Sequence, residues 1–345
     1  MSENGHDRDV FDVIIVGAGP TGLYAAFYAG MREMRTKVVE VLPEAGGQLA
    51  VLYPEKYIYD VAGYPEVLAK DLVDNLLQQI AKWDPTMCLG ERAEKLVRED
   101  DGTLVLTTDV ASHYAKAVVI CGGIGAFRPN KLKNESLTRF EERGVYYFVQ
   151  DKSIFKDKRL LIVGGGDSAV DWALNLKDIA SETTLIHRRE GFRAHPSSVT
   201  ELMESDVNVM LHYEVREVLG DDSITGVKIF DNRSDEDTIL DIDIVLMNLG
   251  FKADLGPIKD WGLALNKRYI VVNGRMETNI PGVYAAGDVC MQDGSESLNL
   301  IAVGFGEAAI AVNHAYSFIT GGRVFPGHSS EMSPTAAVAS NQQAK

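Results

Sequence analysis

The chain has only three cysteines in 345 residues, Cys88, Cys121 and Cys290, and no two of them form a C-x-x-C pair. That spacing excludes a sequence-local dithiol and a zinc-type ligand set, so redox chemistry would have to come from a bound cofactor. Cys121 follows the apolar run AVVI and reads as a buried core thiol. No apolar run is long enough to span a bilayer, and the polar start MSENGHDRDV lacks the apolar core of a signal peptide. The expected location is the cytoplasm. Basic residues are in deficit: 34 Lys and Arg against 50 Asp and Glu give a net charge of −16. Such a surface argues against a nucleic-acid or anionic-membrane partner.

What is present is organised around FDVIIVGAGPTG, residues Phe11–Gly22. Val13–Val16 is a short, β-branched apolar run, as expected of a strand buried on both faces of a parallel sheet. It opens directly into Gly17-Ala18-Gly19-Pro20-Thr21-Gly22 and then a helical stretch. In such a turn Gly17 permits the tight bend, Gly19 lets backbone approach a pyrophosphate, and Gly22 lets helix and strand pack closely. The helix N-terminus offers unpaired N–H groups to the phosphates. Glu40 ends the next strand, about 20 residues on, where a carboxylate suits a ribose. The stretch predicts a dinucleotide site.

The pattern recurs. Leu160–Val163 leads into Gly164-Gly165-Gly166-Asp167-Ser168-Ala169, the G-x-G-x-x-A variant, followed by a helix and the strand TTLIH. Here the strand ends in His187-Arg188-Arg189, with Arg193 shortly after. An acid at this position favours a free ribose 2′-OH, whereas arginines accommodate a 2′-phosphate, so the second unit predicts NADPH over NADH.

Between these units, the Gly-, Pro- and Tyr-rich stretch after Glu40 reads as a structured loop, in which Gln48 and Tyr53 either meet a flat heterocycle or simply pack the loop. Lys70–Trp83 is an amphipathic helix with Leu72, Leu76 and Ile80 on one face. The strand KAVVICGG ends in Gly122, Gly123 and Gly125, either a second approach to the dinucleotide or a plain exit from the sheet. The polar run 128–144 suggests a linker or domain boundary. GVYAAGD is a further apolar strand, ending in Asp288, which suits a polyol hydroxyl or a helix cap. The tail has little means of burying itself and is expected to be disordered from about Ser333, and a lone tail His328 has no evident role from sequence.

GAGPTG, GGQL…LYPEKYIYDVAGYP, GGGDSAVDWA, IHRREGFRAH and ETNIPGVYAAGD together resemble the thioredoxin-reductase-like ferredoxin–NADP⁺ reductases, from about Phe11 to Ser330. The resemblance implies an α/β fold of two Rossmann-like three-layer nucleotide-binding domains. The FAD domain is discontinuous (1–128 and 255–345), with an NADPH domain inserted at 129–254. It implies FAD contacts at Gly17, Gly19, Thr21, Gly22, Glu40, Gln48, Tyr53, Ala93, Phe127 and Asp288. Tyr53 would stack on one face of the isoalloxazine and His328 on the other, with Ser329 and Ser330 near the flavin N5 edge. NADPH contacts would be Gly164, Gly166, Ser168, His187, Arg188, Arg189 and Arg193. Tyr53, His328 and Ser329 are thereby the expected catalytic residues.

The implied enzyme is a homodimer that passes electrons between NADPH and one-electron carriers, ferredoxin and possibly flavodoxin, by hydride transfer to flavin N5 and then single-electron steps. Docking of an acidic carrier would need a basic patch, with Arg128, Lys131 and Lys133 or Lys156, Lys158 and Arg159 as candidates. Two other readings share the nucleotide motifs. A thioredoxin-reductase-like disulfide reductase is disfavoured, because Val145–Asp151, where that enzyme carries its C-x-x-C, has no cysteine. A flavin- and NADPH-binding redox sensor that turns over poorly is the other.

Overall fold

A computed structural model describes residues 8–125, 128–252 and 254–322. Strand β1 (Val10–Val16) is the centre of the first sheet, because its side chains have apolar neighbours on both faces: Val13, Ile14 and Ile15 are fully buried. Each such side chain is worth about 1.5–3 kcal/mol on burial, which is why the run stays in the sheet rather than joining the following helix. Strand β2 (Thr36–Glu40) lies parallel on one side of β1, with Val13 opposite Thr36 and Val16 opposite Val39. Strand Ser112–Ile120 lies parallel on the other side, with Val16 opposite Ile120. Thr86–Leu89 extends the sheet beyond β2, and the antiparallel pair Ala93–Arg98 and Leu104–Thr108 extends it beyond Ser112–Ile120. Val283–Ala285 returns from far along the chain to pair with Val118–Ile120. The first sheet is therefore built from two separated stretches of sequence.

Helix α1 (Pro20–Met31) starts with proline in its first turn, where the missing N–H costs nothing. It packs against the long C-terminal helix Ile301–Thr320, and Gly304 abuts Thr21. The expected amphipathic helix spans Ala69–Ala81 and buries Leu72, Leu76 and Ile80.

The second sheet draws all five strands from 145–248, every pair parallel. Arg159–Gly164 is central, between Glu182–His187 and Ile244–Asn248, with Asn208–Leu211 and Val145–Tyr146 outermost. An antiparallel three-stranded sheet, from Tyr213 to Leu240, covers one side. The architecture is two doubly wound nucleotide-binding units in one chain. The polar run 128–144 is more than the linker its composition suggests. It holds the short helix Glu135–Arg139, capped by Asn134, whose Oδ1 accepts the Ser136 N–H at 3.0 Å. Leu137 and Phe140 point into the second core while the charged neighbours face solvent, so average composition hid a short folded element. The crossing between units is a two-strand ribbon of Arg128–Pro129 with Phe251–Lys252.

The seam between units is specific. Tyr53 packs against both the first core and the core beneath helix Asp167–Leu176. Lys56 Nζ donates to Asp171 Oδ2 of that helix at 2.5 Å. Lys152 lies 6.0 Å from the Tyr57 ring centroid and 5.9 Å from that of Trp172.

Candidate active site

The turn after β1 is drawn tight by backbone bonds. Gly17 N–H donates to Val39 O at 2.8 Å and Cys121 N–H to Val16 O at 2.7 Å. The buried Glu40 closes it from the side: Oε2 accepts the Ala18 N–H at 2.6 Å and Oε1 the Leu42 N–H at 3.0 Å. Beyond this turn lies a cleft of about 770 Å³, within the ~300–1,000 Å³ range of small-molecule sites.

The cleft brings together Gly17, Gly19, Thr21 and Glu40 with the loop residues Gln48 and Tyr53. Ala93 and Asp288 join them from distant strands. Gly22 does not line the cleft; it packs beneath it, where an added Cβ would sit 1.9 Å from Gly17 O. Gly122, Gly123 and Gly125 line the same cleft, so this strand end reaches the candidate site. Phe127, His328, Ser329, Ser330 and the tail from 333 lie outside the described residues.

A dinucleotide fits this lining. Gly19 has open space where a Cβ would stand, and α1 points its N-terminus at the same wall. Burial pushes the Tyr53 phenol up to about 12, with Asp288 and Asp60 adding to it, so Tyr53 meets a ligand as a neutral ring. Burial also raises the Asp288 carboxyl, against the pull of Arg268 and a bond from Gln48. Sequence reasoning missed Arg268, Glu91 and Asp254, which also line the cleft. They stand in no motif, and only the fold brings them there.

The second cradle gathers Gly164, Gly166, Ser168 and the arginines at the carboxyl ends of two adjacent strands. Arg193 N–H donates to Gly165 O at 2.7 Å, tying the arginine loop to the glycine turn. Asp167 Oδ1 accepts the His195 N–H at 2.8 Å and closes the far end of that loop. Arg188, Arg189 and Arg193 are exposed and make no ion pair among the described residues. His187 departs from a simple basic strand end. Its ring is buried against Gly165, where an added Cβ would come within 2.3 Å, and it stacks on Phe192 at 5.3 Å. Burial, then the neighbouring arginines, hold the imidazole below its ordinary value, so it is a neutral spacer rather than a cation.

The chain belongs to the pyridine nucleotide-disulphide oxidoreductase family, matched over residues 11–315. It is 54% identical over 330 residues, covering 94% of this chain and 98% of the relative, to a ferredoxin–NADP reductase of Symbiobacterium thermophilum. It is 51% identical over 327 residues, covering 94% and 98%, to ferredoxin–NADP reductase 2 of Shouchella clausii. Among solved structures it resembles thioredoxin reductase of T. acidophilum, with TM-score 0.77, 27% identity and coverage of 89% and 98%. Thioredoxin reductase of Lactococcus lactis gives TM-score 0.76, 25% identity and coverage of 90% and 99%.

The family's disulphide chemistry needs a thiolate. In this member burial, with Glu307 adding to it, pushes the Cys121 and Cys290 thiols far above their ordinary range. Cys88 is raised as well, chiefly by burial. The fold does bring Cys88 beside Glu91 and His113, with their ligating atoms within 4.8 Å, a grouping the sequence spacing did not suggest. It is already a closed polar knot. Lys37 Nζ lies 3.1 Å from His113 Nδ1, His113 Nε2 lies 2.8 Å from Glu91 Oε2, and Thr108 donates to the same oxygen at 2.9 Å. An ammonium beside the imidazole opposes a cation there.

Proposed function

We propose that the chain is an FAD-dependent ferredoxin–NADP⁺ reductase, with FAD held by the first unit (1–128 and 255–345) and NADP(H) by the second (129–254). The observation that carries this reading is the opposite chemistry of the two cradles. One strand ends in Glu40, sealed on the glycine turn; the other ends in arginines without carboxylate partners. A free ribose suits the first and a 2′-phosphate the second. The names of relatives at 54% and 51% identity supply the partner, ferredoxin, and support NADP as the nicotinamide nucleotide. FAD, when bound, supplies the step between two-electron exchange with NADPH and one-electron exchange with ferredoxin or a flavodoxin-type carrier.

The chain's own residues bind, orient and exclude water. Gly19 and Thr21 present the start of α1 and an open wall to the pyrophosphate, with Gly17 making the tight turn and Gly22 letting α1 come close enough to do so. Glu40 accepts from the adenosine ribose, Ala93 borders the adenosine end, and Asp288 accepts from the ribityl hydroxyls. Gln48 and Tyr53 face the flat ring, Tyr53 as a neutral platform. Gly164, Gly166 and Ser168 receive the NADPH phosphates, His187 spaces the arginine loop, and Arg188, Arg189 and Arg193 receive the 2′-phosphate. On the same reading Phe127, His328, Ser329 and Ser330 complete the flavin site.

We place the enzyme in the cytoplasm as a homodimer; among the described residues no helix is long and apolar enough to cross a membrane. For the acidic carrier, Lys133, Lys156 and Lys158 are the cations without an ion pair among the described side chains of the two candidate patches. Lys131 is paired with Glu141 at 2.6 Å and Arg159 with Asp243 at 2.6 Å.

One anaerobic experiment tests the reading. The purified chain should be yellow, bleach with NADPH much faster than with NADH, and recover its colour on adding oxidised ferredoxin but not thioredoxin. A protein that bleaches and then fails to reduce ferredoxin or a dye would be a sensor instead. Equal bleaching by NADH would remove the role given to Arg188 and Arg189.

A further inference from the structure

The first cleft has a charge problem that its fingerprint does not solve. Among the described residues four carboxylates line it, Glu40, Glu91, Asp254 and Asp288, against two cations, Arg92 and Arg268. A pyrophosphate brings further negative charge, and the start of α1 offers only about half a positive charge. Arg92 is already committed: its Nη2 lies 3.4 Å from Glu94 and 3.7 Å from Asp109.

Arg268 is not. Among the described residues it has no carboxylate in ion-pair contact. Its Nη2 donates to the Tyr269 hydroxyl at 2.6 Å, and the guanidinium rests 4.6 Å from the centroid of that ring. A guanidinium carries five N–H donors, so one bond leaves most of the fork free for an anion.

Its position follows from the strand it precedes. Tyr269–Val272 runs parallel to Cys290–Gln292, and Ile270 N–H donates to Val289 O at 2.9 Å. That register brings the start of the strand beside Asp288, whose carboxyl feels the Arg268 charge. Gly287, next to Asp288, abuts Thr21 in the first turn of α1, with an added Cβ only 2.8 Å from Thr21 Oγ1. Arg268 thus shares the end of the cleft at which α1 begins, where a fingerprint helix places the phosphates.

We propose that Arg268 is the cation that takes the pyrophosphate of the bound flavin dinucleotide, completing from the 269–272 strand the anion site that α1 begins. Held on Tyr269, it is oriented before the ligand arrives, so little side-chain freedom is lost on binding. The inference rests on the flavin reading above and adds to it a residue no glycine motif contains.

The test uses the full chain, loaded with FAD and then diluted, with release read as the rise in flavin fluorescence. Arg268→Ala should weaken FAD binding roughly tenfold or more, the cost of one charge-assisted contact. Arg268→Lys should recover part of that loss, because it keeps the charge but not the fork. Riboflavin, which has no pyrophosphate, should bind the wild type and Arg268→Ala equally, and the salt dependence of FAD release should be shallower in the variant. Circular dichroism of each variant confirms folding, and Arg268→Met serves if alanine unfolds.

FAD affinity within twofold of wild type in Arg268→Ala would overturn the proposal. So would unchanged FAD release with a weakened, salt-sensitive rate with ferredoxin, which would move Arg268 to the docking surface. A wild-type chain that holds no FAD at all would instead sink the flavin reading itself.

Discussion

Two glycines of the first cradle, three residues apart, should respond oppositely to the same added methyl group. At Gly19 the backbone is extended, with φ −70° and ψ −179°, and a Cβ would have nothing within 4 Å. Alanine there loses about 0.5–1 kcal/mol as a poorer helix N-cap than glycine. It regains about 0.4–1 kcal/mol by narrowing the unfolded ensemble. The two offset, so the flavin-free chain should melt within about 2 °C of wild type. The methyl would nevertheless stand in the cleft where a pyrophosphate has to touch backbone, and FAD affinity should fall by at least about tenfold.

At Gly22 the order reverses. A Cβ would lie 1.9 Å from Gly17 O and 2.9 Å from Gly17 C, both backbone atoms, and Gly17 is itself tied to Val39 at 2.8 Å. Alanine gains about 1 kcal/mol of helix propensity, but overpacking of this kind costs about 1–3 kcal/mol or more. Parting the Gly17–Val39 bond adds about 1 kcal/mol. A net loss of about 1–3 kcal/mol corresponds to a fall of roughly 3–10 °C for a domain of this size. Thermal unfolding of the flavin-free chain, paired with fluorescence titration of FAD, separates the two effects. Should Gly19→Ala melt as early as Gly22→Ala, or bind FAD as wild type does, the assignment of Gly19 to the ligand and Gly22 to the helix–strand contact is wrong.

At the second cradle, Arg188→Ala should raise the KM for NADPH about five- to tenfold and leave kcat and the NADH parameters nearly unchanged, since only one nicotinamide carries the 2′-phosphate. At the seam, a double-mutant cycle of Lys56→Ala and Asp171→Ala should return a coupling of about 0.5–1 kcal/mol that shrinks as salt is raised, because both side chains are partly exposed. A coupling near zero at low salt would show that the contact does not hold the two units together. Arg159 bonds hold the Asp243 carboxyl below its ordinary range, so its stabilisation is present above about pH 4 and lost as pH falls through the lowered folded value. Asp243→Asn should therefore be less stable than wild type at pH 7, with the two curves converging in acid; a constant gap down to pH 2 would count against the pair.

Much of this protein was legible in the order of its residues. The run Val13–Val16 and its counterpart Leu160–Val163 specify central parallel strands because a β-branched apolar run has to be covered on both faces, and the glycines after each leave only a tight turn into a helix. Glu40 and the pair Arg188–Arg189 then give the two cradles opposite charge at the same position of the pattern. These are local signals, and local signals survive in sequence. Within the segment 128–144, read as a linker or domain boundary, the helix of five residues was not legible because composition averages over it, and the packing of Leu137 and Phe140 outweighs the charges beside them.

What the tertiary structure decided is everything that joins distant stretches. Only the return of Val283–Ala285 to the first sheet brings Asp288 to the mouth of a cleft begun by Gly17. Only the ring of His187 lying on Gly165 turns an apparent base into a neutral spacer, through burial. Arg268 belongs to the same class: no spacing marks it, and its proposed charge on the pyrophosphate depends on a strand pairing that no neighbour in sequence encodes. Turn chemistry and strand burial act between adjacent residues, so the sequence by itself determined the two cradles. Charge balance and domain contact act through space, so the fold decided what surrounds them.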